Sequence, residues 1–486
     1  MKGSLGVLSA EVLSLVERLY RRRLHATFFV KNFLILWAII GLSAFDITLA
    51  QTEGIKLSGS LGNEITYGCK SWNDCRKSGS PLNPDGIFDS DIREIEDTIR
   101  LNLNADAQVA EKAKVSIRSE YSFVPTDPSK THRVTLDEAF LDVELSEYFF
   151  LKTGKQRVAW GTGFAWNPAD AVNPPKNPQD PRRQKEGITS VKAVSSVGFL
   201  SITGILVPDV PASDPRTGEV TPPKIENIAA AVRLAALLFD FDWSLSFRAA
   251  KDRRAVLGAD FSGILFGEAE IHGEAAARQG SDKYYIKGGR FELRPDFKPD
   301  DLFQPAQTKV GSKEVFPKFV LGGNYTAPTD TFILVEYYYN GEGYTKDEFR
   351  GYINYLKYYA GEYERDKSKI PLSFLPQGLS IPKKEEMLKY GLALFTPGNL
   401  RRNYLFLNLT HPIEEIVSLS ARALWGIDDL IDSGYVSVMV SPSIDYTEIN
   451  NVTFSLSGNA FIGDKEAEFG MVPNAFNITA GLTMYF

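Results

Sequence analysis

Few side chains in this chain stand at spacings that support chemistry. His272 alternates with Glu270 and Glu274, and a spacing of two places all three on one face of a strand, where they could hold a metal ion. No second motif supplies further ligands, so a polar strand face is the better interpretation. The aspartates of the segment 426–434 could bind Ca²⁺, but they lack the spacing of an EF-hand loop.

Motifs for nucleophilic or nucleotide chemistry are also missing from the sequence. It contains no Gly-x-Ser-x-Gly, no P-loop and no glycine motif leading into a dinucleotide-binding unit. We therefore predict no catalytic residue, no metal and no cofactor, and we expect that the protein is not an enzyme.

The dominant period beyond Gln51 is two, which is the period of a β-strand. Polar and apolar side chains alternate along 98–107, and again along 114–121, 138–145 and 240–249. Alternation over about ten residues, repeated many times, is typical of a transmembrane β-barrel, whereas the strands of soluble sandwiches are usually nearer five or six residues. Because only alternate positions of such a barrel are apolar, the hydrophobic share of 43% does not exclude a membrane protein.

This pattern predicts an all-β, antiparallel transmembrane barrel of about eighteen strands, within a range of sixteen to twenty. The candidate strands lie at 55–66, 95–107, 114–123, 134–145, 149–159, 188–196, 199–208, 226–237, 241–250, 255–265, 268–278, 316–326, 331–340, 401–411, 414–425, 434–446, 450–461 and 476–486. The number must be even if both ends of the barrel lie in the periplasm. Most periplasmic turns are then short and most extracellular loops long, and the apolar spacing along 349–359 in the outer loop 341–400 predicts an amphipathic helix.

The C-terminal segment supplies the strongest single signal. Ile478, Ala480, Leu482, Met484 and Phe486 form one apolar face, and the chain stops on the last of them. This resembles the closing strand of Gram-negative outer-membrane barrels, although members of that family often carry Tyr at the position of Met484. The resemblance implies that Met484 and Phe486 are read by the barrel-assembly machinery, and that outer-membrane lipids surround the barrel.

A loop rich in Asn-Pro pairs follows the fifth candidate strand. Prolines fix φ while Asn and Asp accept backbone hydrogen bonds, so the loop at 160–187 should be ordered. The pattern G-K-Q-R…W-G-x-G…N-P-x-D…N-P at 154–174 resembles porin-like and polysaccharide-exporter-like barrels of largely unassigned substrate. The resemblance implies a third extracellular loop that folds into the lumen; a surface loop packed on itself is the alternative. The candidate constriction residues are Trp160, Trp166, Asn167, Asp170, Asn173, Asp180, Arg182 and Arg183.

Charged side chains inside the barrel would decide which solutes pass. Arg182 and Arg183 on an inward loop would face carboxylates of the wall, and a net acidic wall favours cations or neutral hydroxylated solutes over anions. The candidate lumen residues are Glu138, Asp142, Glu268, Glu270, His272, Glu274 and Glu336. The plainer alternative is that each of these charges is solvated or paired with another.

The first 50 residues indicate export. Basic residues at 21–23 and 31 precede the apolar run 33–45, which is shorter than the ~20 residues of a membrane span, and small residues near Ala50 offer a cleavage point. A signal peptide therefore precedes a single barrel domain at 51–486; a signal anchor or a core helix is the alternative. Without residues 1–50 the chain has a net charge of −10, which argues against a nucleic-acid partner.

The two cysteines of the chain lie near the end of the first candidate strand. In an oxidising compartment the short spacing of Cys69 and Cys75 permits a disulfide, with two free thiols as the alternative.

These observations favour a channel of the outer membrane for passive diffusion of small hydrophilic solutes, preferring cations or neutral solutes. An exporter of a secreted polymer and a non-conducting binding or adhesion barrel are the alternatives. An outer-membrane lipase is remote, because no His and Ser stand in a recognisable context. The sequence leaves the oligomeric state open.

Overall fold

The chain forms a closed antiparallel sheet of eighteen strands. The computed structural model describes residues 54–69, 80–82, 95–126, 131–183, 185–208, 227–251, 255–288, 303–309, 312–360 and 381–486. The barrel strands are β1 (Ile55–Cys69), β2 (Ile95–Ala110), β3 (Ala113–Val124), β4 (Thr131–Ser146), β5 (Phe149–Gln156), β6 (Ile188–Val197), β7 (Leu200–Pro208), β8 (Ile228–Leu238), β9 (Phe241–Ala250), β10 (Val256–Leu265), β11 (Ala269–Gln279), β14 (Val315–Thr326), β15 (Phe332–Asn340), β16 (Asn403–Ile413), β17 (Val417–Gly426), β18 (Ser437–Tyr446), β19 (Val452–Gly463) and β20 (Phe476–Tyr485). A separate hairpin joins β12 (Tyr284–Gly288) to β13 (Phe303–Thr308).

Every predicted strand is present in this barrel, so the predicted fold class and strand number are confirmed. β5 ends at Gln156 rather than at residue 159, because the chain leaves the wall there and turns into the barrel. Short turns join the strands at the end where both β1 begins and β20 stops, and the long loops lie at the other end. In the orientation of an outer-membrane barrel these are the periplasmic and extracellular ends.

The last strand closes the barrel. β20 pairs with β19 on one side and with β1 on the other. Phe486 and Gly59 exchange both backbone hydrogen bonds, at 2.8 and 3.0 Å. A Cβ on Gly59 would lie 2.7 Å from Cζ of Phe486, so the ring can cross β1 only where the side chain is absent. Met484 packs beside Leu482, and the role of Met484 and Phe486 as an assembly signal stays a prediction.

Side chains alternate between the lumen and the outer surface, as the period of two predicts. On β15 the lumen side chains Leu334, Glu336 and Tyr338 are buried, whereas Val335 between them is exposed. The outward side chains of β9 are apolar and exposed, for example Leu245. This exposure fits a lipid-facing surface, since apolar side chains on the outside of a membrane barrel contact acyl chains.

A cap covers part of the extracellular end. It consists of the hairpin β12–β13, helices α1 (Lys346–Ala360) and α2 (Ile381–Ala393), and the segment 394–400. The predicted amphipathic helix is α1, and its apolar positions Phe349, Tyr352, Ile353 and Leu356 are buried in the cap. A shorter helix, α3 (Ile427–Ser433), and a 3₁₀ turn (Phe469–Met471) lie in neighbouring loops. In the described part of the chain, no helix is both long and apolar enough to cross a membrane.

Two predictions fall outside the described residues. The signal peptide at 1–50 is one of them, and the disulfide is the other, because Cys75 is not among the described residues and only the backbone of Cys69, at the end of β1, is described. Both stay predictions.

Candidate functional site

The loop between β5 and β6, residues 157–187, is named here the inner loop, and Glu274 on β11 binds its first turn. Oε1 of Glu274 accepts hydrogen bonds from the backbone N–H groups of Thr162 and Gly163, both at 2.5 Å, and from Asn167 Nδ2 at 2.9 Å. Oε2 accepts one from the N–H of Ala169 at 3.0 Å. Because Glu274 is 3% exposed and its strand lies six strands away from β5 in the closed sheet, the loop must enter the interior to reach it.

A second wall carboxylate, Glu336 on β15, binds the next residues of the inner loop. It accepts hydrogen bonds from the N–H groups of Phe164 and of Ala165, the latter at 2.8 Å. His272 Nε2 lies 2.8 Å from Oε1 of the same carboxylate. Both wall side chains are almost fully buried. His272 is therefore part of the anchoring of the loop, as is Glu274, whereas Glu270 binds Asn324 instead.

Trp166 carries the inner loop against the aromatic part of the wall. Its ring stacks on Tyr338 at a centroid distance of 4.7 Å and lies 5.9 Å from the ring of Tyr404. Its Nε1–H donates a hydrogen bond of 3.0 Å to the carbonyl of Gly398 in the cap. Trp166 is 3% exposed and thus packs in the interior instead of offering a stacking face to a solute.

On the side of the barrel next to β5 and β6, the inner loop packs against β7 and β8. Trp160 belongs to a buried cluster with Ile205 and Val207 of β7 and alanines of β8. Asp170 accepts a hydrogen bond from Asn173 Nδ2 at 2.7 Å and forms an ion pair with Lys185 at 2.7 Å. These contacts order the Asn-Pro segment, as the composition of the loop predicts.

The charged end of the inner loop does not meet the carboxylates that the sequence suggested. Arg182 donates a hydrogen bond of 3.0 Å to Ser420 on β17. Asp180 lies 3.8 Å from Arg422 of the same strand, and the N–H of Arg183 bonds to the carbonyl of Asp180 at 3.2 Å. The prediction that Arg182 and Arg183 face the acidic lumen candidates is wrong for the Arg182 guanidinium, because the loop ends against a wall of hydroxyl and basic groups.

The acidic lumen candidates have other partners. Glu138 accepts a hydrogen bond from the N–H of Arg157 at 2.9 Å, and Asp142 forms an ion pair with Lys152 at 3.0 Å. Glu270 accepts a hydrogen bond from Asn324 Nδ2 at 2.9 Å. Glu268 is exposed in the turn before β11 and does not belong to the strand. The prediction that Glu268 is a lumen residue of this strand is therefore wrong, because it lies in a turn, while Glu270 and Glu274 bind different partners.

A cavity of about 1060 Å³ lies at the extracellular side of the inner loop, between residues 167–176, the upper ends of β9–β11, β14 and β15, and the cap segment 393–399. Its charged lining is mixed. The charged residues are Asp170, Lys176, Arg248, Arg278, Asp282, Lys283, Lys318 and Glu342. Several of them form ion pairs, namely Arg278 with Asp282 and Lys318 with Glu342.

Buried titratable groups connect the cap to the inner loop. Glu468, between β19 and β20, is fully buried and accepts hydrogen bonds from the Gly398 N–H at 2.6 Å and from the Tyr404 hydroxyl at 2.8 Å. Burial raises the pKa of Glu468 to about 8, and the charge of Asp429 acts in the same direction. The carbonyl of the same Gly398 accepts the hydrogen bond from Trp166, so Gly398 bridges Glu468 and the inner loop.

The aspartates considered for Ca²⁺ hold an arginine instead. Arg401, which is 2% exposed, lies 3.1 Å from Oδ1 of Asp429 and contacts Asp432 with its second guanidinium nitrogen. Asp428 accepts the backbone N–H groups of Arg402 and of Asn403, at 2.6 and 2.9 Å. The acidic helix α3 thus fixes the start of β16 at the extracellular rim.

Sequence reasoning did not single out several of these residues. Tyr404 and Phe406 stand at lumen positions. The run 404–407 is apolar at its lumen-facing and at its lipid-facing positions, which indicates that the lumen face is covered there. Glu468 and Arg401 show no comparable signal, because their partners are distant in the sequence.

Solved structures with the same fold include proteins of two bacterial genera. The chain is similar to OccAB1 of Acinetobacter baumannii, with a TM-score of 0.50 and 10% sequence identity over 90% of this chain and 99% of that one. It is also similar to OccK2 (OpdF) of Pseudomonas aeruginosa, solved in complex with glucuronate, with a TM-score of 0.50 and 8% identity over 89% and 98% of the two chains. No protein-family model and no curated protein matches the chain.

Identity this low establishes the fold alone. Both solved structures are Occ/OprD outer-membrane porins. The resemblance to porin-like barrels, inferred from the last strand and the inner-loop motif, is confirmed at the level of architecture: the chain has the fold of an outer-membrane porin.

Proposed function

We propose that the protein is an outer-membrane channel for the passive diffusion of small hydrophilic solutes, narrowed by the inner loop. The observation that supports this most is the polar wall formed by β1, β2, β19 and β20. The inner-loop contacts described above lie on other strands, namely β4, β7, β8, β11 and β15–β17. The lumen side chains of the polar wall include Ser60, Asn102, Ser457 and Thr479.

The polar wall offers hydroxyl and amide groups to a permeating solute. Asn102 Nδ2 donates a hydrogen bond of 3.0 Å to Ser60, and the hydroxyls of Thr66 and Thr479 lie 2.9 Å apart. Such groups can exchange hydrogen bonds with water and with sugar hydroxyls, because they are both donors and acceptors. The constriction is then formed between this wall and the inner loop, with Trp160, Trp166, Asn167, Asp170, Asn173, Asp180, Arg182 and Arg183 shaping the loop side.

Neutral solutes fit this lumen better than cations. Several wall carboxylates that sequence reasoning counted as an acidic field are used in ion pairs or in loop anchoring, as with Asp142, which pairs with Lys152 at 3.0 Å. Paired charges contribute little net field to a water-filled lumen. We therefore propose weak ion selectivity and a preference for hydroxylated neutral solutes.

Two measurements on the refolded protein test this proposal. Single-channel recording in planar bilayers should show stepwise currents, and the reversal potential in a KCl gradient should lie near zero. Swelling of proteoliposomes should be faster with neutral monosaccharides than with glucuronate, the ligand present in the OccK2 structure. If no current appears across independent reconstitutions of folded protein, the channel is rejected and a non-conducting binding barrel is favoured. A reversal potential that shows strong selectivity for cations or for anions would reject the neutral preference alone.

Outer-membrane placement accompanies this function, with surrounding lipids and the barrel-assembly machinery as partners. Export through the predicted signal peptide of residues 1–50 belongs to the same proposal. Fractionation of the cell envelope, with heat-dependent mobility as the sign of a folded barrel, would test the placement.

A further inference from the structure

Four consecutive periplasmic turns expose an aromatic side chain at their tips. Tyr148 lies between β4 and β5, Phe199 between β6 and β7, Phe239 between β8 and β9, and Phe266 between β10 and β11. Their exposed fractions are 64%, 73%, 94% and 96%. These four turns are named the aromatic arc. Because the strands are consecutive in the sheet, the arc occupies one continuous side of the periplasmic rim.

The other described periplasmic turns differ in composition. They lie at 111–112, 327–331, 414–416 and 447–451, and none contains an aromatic residue. Their exposed positions are mostly charged or polar, such as Glu414 and Glu415, with Ile449 as an apolar exception at 51% exposure. The rim is therefore divided into an aromatic side and a polar side.

Two tips of the aromatic arc hold phenylalanine in an unfavourable backbone conformation. Phe239 has φ of 55° and Phe266 has φ of 54°, in the left-handed region. Gly, Asn and Asp are the residues that turns of this type favour, since a larger side chain is strained there. A bulky apolar residue kept in such a position, and exposed, indicates that the ring itself has a use.

Most strands above the aromatic arc are short. β5 to β11 have 8 to 11 residues each, and β4, at the edge of the arc, is the exception with 16. A strand of nine residues, rising about 3.3 Å per residue at a tilt of about 40°, spans about 23 Å, and the apolar band of an outer-membrane barrel is about 25 Å tall. Strands of this length, here and in β15–β18, barely match the band, so the turns that follow them come to the membrane interface.

The apolar surface is continuous from the lipid-facing wall to the tips. The ring centroids of Trp243 and Phe261, on the outer faces of β9 and β10, lie 5.3 Å apart. The ring centroid of Phe241, at the start of β9, lies 6.3 Å from that of Trp243. At the strand ends beside Phe239 and Phe266, apolar residues occupy both phases, as in the runs 237–239 and 264–266. Alternation is lost where both sides of a strand end have the same apolar surroundings.

We propose that the aromatic arc is embedded in the headgroup region of the periplasmic leaflet, so that the barrel sits deeper in the membrane on its β4–β11 side. Aromatic rings favour this region of a bilayer, whereas the charged turns of the polar side favour water. The carboxylates next to the tips, Glu147, Asp240 and Glu268, remain at the aqueous edge of the headgroups. The proposal rests on the membrane setting of the barrel and not on its conductance, so a non-conducting barrel would give the same result.

Photocrosslinking in vesicles of defined composition tests this placement. Benzoylphenylalanine is introduced at Phe199, Phe239 or Phe266, and at Thr329 and Asn450 as matched turn positions of the polar side. Each variant is folded into vesicles of phosphatidylethanolamine and phosphatidylglycerol, irradiated and analysed by intact mass. Since all five positions are in turns, replacement should leave the barrel folded, which heat-dependent electrophoretic mobility verifies.

We expect lipid adducts at the three arc positions in several-fold excess over the two controls. Equal adduct yields at arc and control positions would overturn the asymmetric placement. Absence of lipid adducts at the arc, together with adducts to a discrete protein when the same variants are irradiated in cells, would also overturn it and identify the aromatic arc as a protein-docking surface.

Discussion

Removal of the Glu274 carboxylate should release the inner loop without unfolding the barrel. In Glu274→Ala, three backbone N–H groups and the Asn167 amide lose their acceptor in a buried site. A buried donor left unsatisfied costs about 1–3 kcal/mol, and four such losses in one cluster are not additive, so we expect about 3–6 kcal/mol of lost loop anchoring. At about 1.4 kcal/mol per factor of ten, the docked loop loses about 10²–10⁴-fold in its equilibrium with undocked states.

Single-channel recording measures the consequence, because an undocked loop no longer holds a fixed constriction. We expect larger and noisier conductance than in the wild type, and faster proteolysis within 160–187. Glu270→Gln is the matched control: it removes a carboxylate from the same face of β11, but its partner is Asn324 rather than the loop. A Glu274→Ala barrel that is folded, yet shows wild-type conductance and wild-type loop protection, would refute the anchoring role, as would an equal change in the control.

Four further outcomes are expected. Trp166→Ala removes a buried ring and should cost about 3–5 kcal/mol of local packing, seen as increased conductance noise in an otherwise folded barrel. The pKa of Glu468 is raised from 4.5 to about 8, so its contribution to cap stability is complete below the unfolded value and is lost as the pH rises through 8. The protection of the amides of 394–400 against hydrogen exchange, measured relative to the intrinsic rate at each pH, should therefore fall between pH 5 and 9. It should fall less steeply in Glu468→Gln. Arg401→Ala leaves Asp429 buried without its cation, which should cost about 3–5 kcal/mol locally and speed exchange in α3; unchanged exchange would contradict the ion pair's role. Arg182→Gln should shift the reversal potential toward that of a cation-selective channel, because the loop end borders the proposed constriction; an unchanged potential would contradict that position of Arg182.

The strand pattern could be predicted because it is local. Each strand alternates along its own length, and lipid on one side and water on the other impose that alternation regardless of which strands are neighbours. The eighteen strands and the helix at 346–360 were thus accessible from residue spacing. The end of β5 was not, since the chain leaves the wall at Gln156 to reach contacts with β11 and β15 that only the closed barrel brings near.

Residue types alone misassigned the wall carboxylates. Glu270, Glu274 and Glu336 all stand at lumen positions, and nothing in their spacing separates a carboxylate that binds an amide side chain from one that binds loop backbone. Their roles depend on partners more than 50 residues away, as in the contact between Glu274 and Gly163, 111 residues apart. The same holds for Arg182, whose partner Ser420 is 238 residues away.

By itself, the sequence determined a closed barrel with an ordered Asn-Pro loop after the fifth strand, because alternation, turn residues and prolines act over a few neighbouring residues. The tertiary structure alone decided what that loop touches, which carboxylates are neutralised or used as anchors, and that one side of the periplasmic rim is aromatic. These depend on barrel closure, which sets side by side residues whose separation along the chain leaves no local trace.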